Sequence, residues 1–277
     1  NMFALIDCNN IYASCHRVFE PKLINQPIVV LSNNDGCVIS RSSEAKIIGV
    51  PMGAPAHKFQ AFFDRNKIHV FSSNYQLYAD MSNRVMNILS NYSPNQEIYS
   101  VDECFLKLDG FERYDLLKYG QEIRSKVYQF TKLPVCVGIA PSKALAKLAN
   151  HIAKKFPKHH NGVYIIKTEE QIHKALKWVD IEDIWGIGRR FSRRLRMIGV
   201  NKAIDFVNLA DDYIRKEFSV VGLRLKKELL GKSVLDLDTI SPKKSIATTR
   251  SFEKYTNDFE YVKERVSTFA VSCAEKL

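Results

Sequence analysis

The sequence predicts an α+β fold followed by an all-helical region, and three observations carry that expectation. Up to about residue 168, short apolar runs rich in β-branched and aromatic residues alternate with segments whose apolar residues recur at helical spacing. Hairpin signals lie among the strand-like runs, so the sheet is expected to be partly antiparallel with helices packed on one face. From Thr168 onward the pattern is helical throughout.

The elements follow in order. Phe3 to Asp7 is an apolar run ending in an acid, and a helix-like segment from Ile11 to Phe19 follows it. Pro27 to Leu31 and Cys37 to Ser40 read as strands joined by Ser32-Asn33-Asn34-Asp35-Gly36, whose Asp-Gly is a hairpin signal. A helix is expected over Ser42 to Ile48, stopped by Gly49 with Pro51 beyond. Small residues around it, Ser40, Ser43, Ala45, Gly53 and Ala54, leave room for something large. A strand is expected at Ile68 to Ser72, then a helix from Tyr75 to Tyr92 with a Leu77, Met81, Val85, Ile88 and Tyr92 stripe, ended by Pro94. A hairpin over Glu97 to Leu108, a helix from about Leu116 to Phe130, a strand at Val135 to Ile139 and a helix from Ser142 to Phe156 complete the α+β part.

On that last helix Lys143, Lys147 and Lys154 fall within about 40° of one another, opposite an apolar stripe of Leu145, Leu148, Ile152 and Phe156. No acid occurs between Glu122 and Glu169, so phosphate contact is a better reading of this lysine row than a merely solvated face. Thr168 and Gln171 read as a capping box. Trp185-Gly186-Ile187-Gly188-Arg189-Arg190 then joins a short helix to a longer one. Two glycines let backbone N–H groups approach a phosphate at a helix N-terminus. Phe191, Leu195 and Ile198 are the expected buried stripe, with Arg189, Arg190, Arg193, Arg194 and Arg196 mostly outside, a pattern that matches the helix-hairpin-helix that grips the DNA backbone without reading sequence, an ordinary tight helical turn being the plainer alternative. Pro242, Lys243 and Lys244 mark a linker, and a new apolar pattern begins at Ile246. Phe259, Val262, Val266, Phe269, Cys273 and Leu277 recur at helical spacing up to the last residue without a Gly or Pro stop, so the chain is expected to end inside a domain.

At 277 residues the chain is long for one domain. Its 45% apolar and 26% charged residues describe an ordinary soluble protein. A net charge of +11 points to a polyanionic partner, nucleic acid before others, although solubility alone also accounts for it. No apolar run approaches the roughly 20 residues of a membrane span, and the N-terminus lacks the regions of a signal peptide, so the expected location is the cytoplasm. Cys8, Cys15, Cys37, Cys104, Cys136 and Cys273 show no paired spacing for zinc and read as reduced, mostly buried thiols. Asn1, ahead of Met2, reads as a tag remnant.

Chemistry is sought first at Asp102 and Glu103. A continuous strand sends neighbouring side chains to opposite faces, so the two acids share a site only at a turn or strand end, where they can hold hard cations such as Mg²⁺. A solvated turn is the plainer reading. Asp7, at the end of a strand, is placed to ligate a metal or to sit near a helix N-terminus as a dipole partner. The three acids meet if their strands are neighbours.

The motifs MFALIDCNNIYASC, VVLSNNDGCVISRSSEAKIIGVPMG, SSNYQLYADMSNRV, EIYSVDE, VGIAPSKALAKLANHIAKK and DIWGIGRRFSRRL, in that order, resemble the Y-family translesion DNA polymerases, and within them the UmuC-type branch. The resemblance covers essentially the whole chain. It implies a ferredoxin-like palm (1–10 and 76–168), small fingers (11–75), a helix-hairpin-helix thumb (169–238), a linker (239–247) and a truncated little finger (248–277). It further implies template-directed DNA synthesis past damaged bases in SOS-type mutagenic repair, with Asp7, Asp102, Glu103 and the Cys8 backbone carbonyl holding two Mg²⁺ ions. Tyr12 matches the steric gate against a ribose 2′-OH, where a core aromatic is the plain alternative. Lys154 matches a lysine on the triphosphate. Ser43 and Lys46 stand where the family often has Tyr and Arg, so a bidentate phosphate grip by Lys46 is not available. Gly186, Gly188, Arg189, Arg190 and Arg193 match the duplex grip. Implied partners are primer-template DNA, deoxynucleoside triphosphates, a processed UmuD-type dimer, a recombinase filament and the sliding clamp, whose binding region the resemblance implies to lie beyond these residues. Weak or no synthesis is expected of these 277 residues. Two rival readings remain, a non-catalytic DNA-binding module and a nucleotide cyclase on a similar palm. The cyclase glycine pair is absent, with Ser100 and Val101 in its place.

Overall fold

The computed structural model describes residues 2–238, 245–250, 252 and 254–276. The chain divides into two compact units, Asn1–Phe19 with Tyr75–Asp238 and Glu20–Asn74 with Thr239–Leu277. Strand β1 (Phe3–Cys8) and helix α1 (Ile11–Phe19) open the first unit. Helix α1 belongs with the sheet because Ile11, Ala13 and Cys15 are buried there.

The second unit has β2 (Ile28–Leu31), β3 (Val38–Arg41), α2 (Ser43–Ile48), α3 (Ala56–Arg65) and β4 (His69–Phe71), with strand order β3-β2-β4. The expected β2–β3 hairpin forms, but its left-handed residues are Asn34 and Asp35, while Gly36 has φ −73°. Short polar side chains that bond their own backbone tolerate that region. Buried Ser42 caps α2, its Oγ accepting from the N–H groups of Ala45 at 3.2 Å and Ile28 at 3.0 Å, and Gly49 at φ 98° ends the helix. Helix α3 is an addition to the expected elements, although Ala56, Phe59 and Phe63 have helical spacing and pack into this unit's core.

The first unit continues with α4 (Tyr75–Leu89), β5 (Gln96–Ile98), β6 (Glu103–Lys107), α5 (Leu116–Thr131), β7 (Val135–Ala140), α6 (Lys143–Lys155), the single turn α7 (Pro157–His160) and β8 (Val163–Ile165). Helices α8 (Glu169–Trp178), α9 (Arg189–Met197), α10 (Ala203–Val207) and α11 (Asp211–Leu229) form the all-helical part, and the Thr168–Gln171 capping box is present. In the second unit α12 (Phe259–Ala274) forms as its periodicity requires, yet none of its residues is buried. Of the expected linker, residues 239–244, including Pro242, Lys243 and Lys244, lie outside the described residues, as do Asn1 and Leu277.

The sheet order in the first unit is β5-β6-β1-β7-β8, with β1 antiparallel to both β6 and β7 and β7 parallel to β8. Helices cover both faces, not one. A Cβ on Gly120 of α5 would meet Val163 and Val137, whereas a Cβ on Gly138, the next residue along β7, would meet the backbone of α6 at Asn150 and Ala146. Adjacent strand residues point to opposite faces, so α5 and α6 lie on opposite sides. The continuous apolar runs of β1 and β7, buried at every position, are the sequence mark of a strand covered on both sides. The α4 stripe is rotated slightly from expectation, with Tyr78, Met81, Val85, Met86 and Leu89 buried.

Helix α6 lies under the all-helical part. Ser142 caps it through Leu145 N–H and donates to the Glu228 carbonyl at 2.6 Å. The fully buried Glu228 carboxylate of α11 accepts from the Ala144 N–H at 3.2 Å and from the N–H groups of Val234 and Leu235. An anion at a helix N-terminus is stabilised by the dipole and the unpaired N–H groups there.

Gly138 carries a testable consequence. A methyl group there would sit 2.1 Å from the Asn150 nitrogen and 2.3 Å from the Ala146 oxygen, both backbone atoms that cannot turn aside. Gly138→Ala is expected to cost about 3 kcal/mol or more, lowering Tm by roughly 6–12 °C at about 2–4 °C per kcal/mol. Thermal unfolding followed by circular dichroism measures it.

Candidate active site

The register of the central strands makes the site. Asp7 of β1 lies directly opposite Glu103 of β6, and on its other side opposite Cys136 of β7. Directly opposed residues share a face, and Leu5 faces Gly138, whose Cα side looks at α6. Asp7 and Glu103 therefore both point toward α6. Asp102 sits in the turn between β5 and β6. Its carbonyl accepts from the Cys8 N–H at 2.8 Å, which ties the turn to the end of β1. Ser100 Oγ donates to Asp102 Oδ1 at 2.5 Å and accepts from the Glu103 N–H at 3.1 Å, fixing the turn from within. The topology makes β1 and β6 neighbours, the condition set for the acids to meet, and places Asp7 opposite Glu103.

Helix α6 answers these acids with its lysines. Lys154 Nζ is 2.5 Å from Asp7 Oδ2 and Lys147 Nζ is 2.7 Å from Glu103 Oε1. Lys143, on the same row, is buried and pairs at 2.7 Å with buried Glu97 of β5. The reading of this row as a phosphate-binding face is corrected for Lys143, which is part of the core, and all three ammonium groups meet sheet carboxylates in this structure. Glu97 also accepts from the Asp238 N–H at 2.8 Å.

Burial is the main force on Asp7. It pushes the carboxyl up to about 6, against the pull of Lys154 and with added repulsion from Asp102 and Glu103. Burial likewise pushes the Cys15 and Cys104 thiols up to about 12, consistent with inert, reduced cysteines. A cavity of about 230 Å³ opens beside the acids, lined among others by Asp7, Glu103, Lys147, His151, Lys154, Asp183 and Trp185. Burial lowers the His151 pKa, and its Nε2 is 4.0 Å from Asp183 Oδ2.

Among the described residues no three His, Cys, Asp or Glu side chains enclose a metal position by themselves. The donor chemistry nonetheless suits a hard divalent cation, since Asp7 and Glu103 lie opposite each other and the Asp102 charge reaches Asp7. Tyr12, half-buried, stacks on Tyr78 with centroids 4.2 Å apart and meets Tyr75 edge-on at 6.0 Å, so its ring is fixed. The Asp102 charge is near enough to raise the Tyr12 pKa, after burial. Ser43 and Lys46 are exposed on the first turn of α2, in the other unit.

In the hairpin, Gly186 adopts φ 86°, which glycine alone takes without strain, and Gly188 is the N-cap of α9. Arg189, Arg190 and Arg193 are exposed and have no carboxylate partner among the described residues. Arg194 pairs with Glu217 and Arg196 with Glu182. The expected buried stripe is corrected: Leu195 is buried with Ser192, while Phe191 and Ile198 are 39% and 50% exposed, because Phe191 turns onto the Phe218 ring. Sequence reasoning gave Ser100, Tyr99 and Trp185 no role at the acids and read Lys147 only as part of the phosphate-facing row. Only Lys147 had a legible signal, its seven-residue spacing from Lys154.

Residues 6–151, which contain all three acids and Lys147, match the impB/mucB/samB family. The chain belongs to that family. Protein UmuC of Salmonella typhimurium is 46% identical over 278 residues, covering 100% of this chain and 66% of that protein. DNA polymerase IV of Sulfurisphaera tokodaii is 31% identical over 221 residues, covering 76% of this chain and 60% of that protein. A solved Y-family DNA polymerase chimera has the same fold at TM-score 0.83 and 24% identity, covering 100% of this chain and 80% of that one. As an impB/mucB/samB family member this chain thus has the α+β polymerase fold, and it spans 66% of the length of UmuC. No helix among the described residues is long and apolar enough to cross a membrane.

The burial of Asp7 has a measurable consequence. Its folded value of about 6 lies above the ordinary 3.8. Between those values the native state binds more protons than the unfolded one, so stability falls as pH rises through this window and the loss persists at neutral pH. Asp7→Asn removes the charge without changing shape, and Lys154, more than a third exposed, can turn to solvent. The variant is expected to be more stable at pH 7.5 by at most about 3 kcal/mol, with the difference vanishing near pH 4. Urea unfolding of both proteins across pH checks it.

Proposed function

We propose that this chain is the catalytic part of a translesion DNA polymerase, extending a primer 3′ end by template-directed nucleotidyl transfer opposite damaged bases in SOS-type repair. The observation that carries this reading is the cross-strand pairing of Asp7 with Glu103, with Asp102 tied beside them. Asp7, Asp102, Glu103 and the Cys8 backbone carbonyl would hold two Mg²⁺ ions. When bound, such ions lower the pKa of the primer 3′-OH and neutralise the leaving pyrophosphate.

The chain's own residues supply position and charge. Lys154 holds the triphosphate beside the acids, and the family resemblance assigns Ser43 and Lys46 to nucleotide binding. Tyr12, fixed by Tyr75 and Tyr78, crowds a ribose 2′-OH and so selects deoxynucleotides. Gly186 and Gly188 offer backbone N–H groups, and Arg189, Arg190 and Arg193 offer charge, to the duplex backbone. The domain assignment that goes with this is palm at 1–10 and 76–168, fingers at 11–75, thumb at 169–238, linker at 239–247 and little finger at 248–277. For the whole protein the family resemblance supports primer-template DNA, deoxynucleoside triphosphates, a processed UmuD-type dimer, a recombinase filament and the sliding clamp as partners.

Primer extension on a lesion-bearing template tests the reading. In the full-length parent Mg²⁺-dependent incorporation is expected, these 277 residues alone giving weak synthesis or none, and Asp102→Ala is expected to abolish it. DNA binding without any incorporation would favour the non-catalytic module, and a cyclic nucleotide formed without template would favour the cyclase. Tyr12→Ala is expected to admit ribonucleotides that the parent rejects. In a salt titration of duplex binding, Arg190→Ala is expected to weaken affinity equally on all sequences and to reduce the log–log slope by about 1.

A further inference from the structure

Lys147 has no part in the chemistry above, yet it is the most elaborately held ammonium in the cavity. It sits 2.7 Å from Glu103 Oε1, 4.5 Å from the Tyr99 ring centroid and 5.3 Å from the Trp185 ring centroid. The two rings meet edge to face at 5.8 Å and 83°, and Trp185 Nε1–H donates to Tyr99 Oη at 3.1 Å. Tyr99 begins the turn that carries Asp102 and Glu103, its N–H bonded to the Glu103 carbonyl at 3.0 Å. Trp185 directly precedes Gly186 of the hairpin. One small cluster therefore joins the carboxylate turn to the start of the arginine helix.

The interactions differ in strength. A charge-assisted hydrogen bond to a carboxylate is the stronger hold, while each aromatic face contributes roughly 0.5–2 kcal/mol. A divalent cation that takes Glu103 removes the stronger partner and leaves the ammonium to the two rings. Any event at Glu103 is then felt at Trp185, and the two equilibria are linked.

We propose that Lys147 is a positioning residue, a resident counter-ion of Glu103 whose displacement by a divalent cation is passed through Tyr99 and Trp185 to the Gly186 hairpin, coupling cation occupancy to the grip on a duplex backbone. The inference rests on Asp7, Asp102 and Glu103 being cation ligands. It adds a function to a lysine and two aromatic residues outside that ligand set.

The chain has two tryptophans, so Trp178→Phe leaves Trp185 as the sole reporter. Cation occupancy of the 277-residue protein is measured by Mn²⁺ electron paramagnetic resonance, with Mg²⁺ displacing Mn²⁺, and Trp185 emission is read in Mg²⁺ alone. The expected result is a saturable shift of Trp185 emission with the midpoint of Mg²⁺ binding. Lys147→Met should lose that shift while still binding Mg²⁺, more tightly because the competing ammonium is gone. Short duplex DNA should lower the Mg²⁺ midpoint about fivefold or more, and this effect should vanish in Lys147→Met and in Trp185→Leu. Mg²⁺ binding with a silent Trp185, or an unchanged duplex effect in Lys147→Met, overturns the inference and leaves the cation site standing. Absence of cation binding in the parent overturns both. Circular dichroism of each variant separates these outcomes from unfolding, and Tyr99→Phe, which keeps the ring and loses only the hydroxyl, serves if Trp185→Leu does not fold.

Discussion

Two carboxylates placed directly opposite each other across an antiparallel pair repel, and Asp7 and Glu103 are so placed in the middle of a sheet. No rearrangement of the strands relieves this, because the same register buries the apolar face on which β1 depends. Positive charge must come from outside the sheet, and α6 is the element that brings it. The position of α6 then becomes critical. Gly138 lets it approach β7 at backbone contact, Asn150 Nδ2 donates to the carbonyls of Leu5 and Cys136, and Glu228 holds its N-terminus.

The three lysines of α6 do similar electrostatic work in different surroundings. Side-chain exposure rises along the helix from 3% at Lys143 to 16% at Lys147 and 37% at Lys154. A buried pair such as Lys143–Glu97 cannot exchange partners without stranding a charge, so it is structural, and with Asp238 it anchors the end of the all-helical part to β5. Lys154 has water to turn to and can give up Asp7 at little cost. Lys147 is intermediate and is caught between a carboxylate and two rings. One helical row thus grades from fold to function over three turns.

Much of this was legible beforehand. The strand Phe3–Asp7, the hairpin around Asp102, the Gly49 stop of α2, the Thr168 cap and the Gly186 hairpin are local signals, and local backbone preference decided them. Helix α3 escaped because no side-chain N-cap marks its start, strand β8 because it is three residues long, and the one-face expectation failed because fully apolar strands were not weighed as strands covered twice. The lysine row was seen correctly as one face of a helix. Its carboxylate partners were missed because an absence of acids along the sequence says nothing of acids brought in from Glu97, Glu103 and Asp7 by the sheet.

The sequence by itself determined the elements, the polarity of each helix face and the identity of the acids, since these follow from side-chain type and period. Tertiary structure alone decided that Asp7 and Glu103 oppose one another, that Lys143 is core while Lys154 is accessible, and that Tyr99 and Trp185 flank Lys147. The physical reason is that charge pairing and burial depend on distance in space, and residues 86 positions apart, such as Tyr99 and Trp185, acquire a distance only when the sheet and α6 are packed.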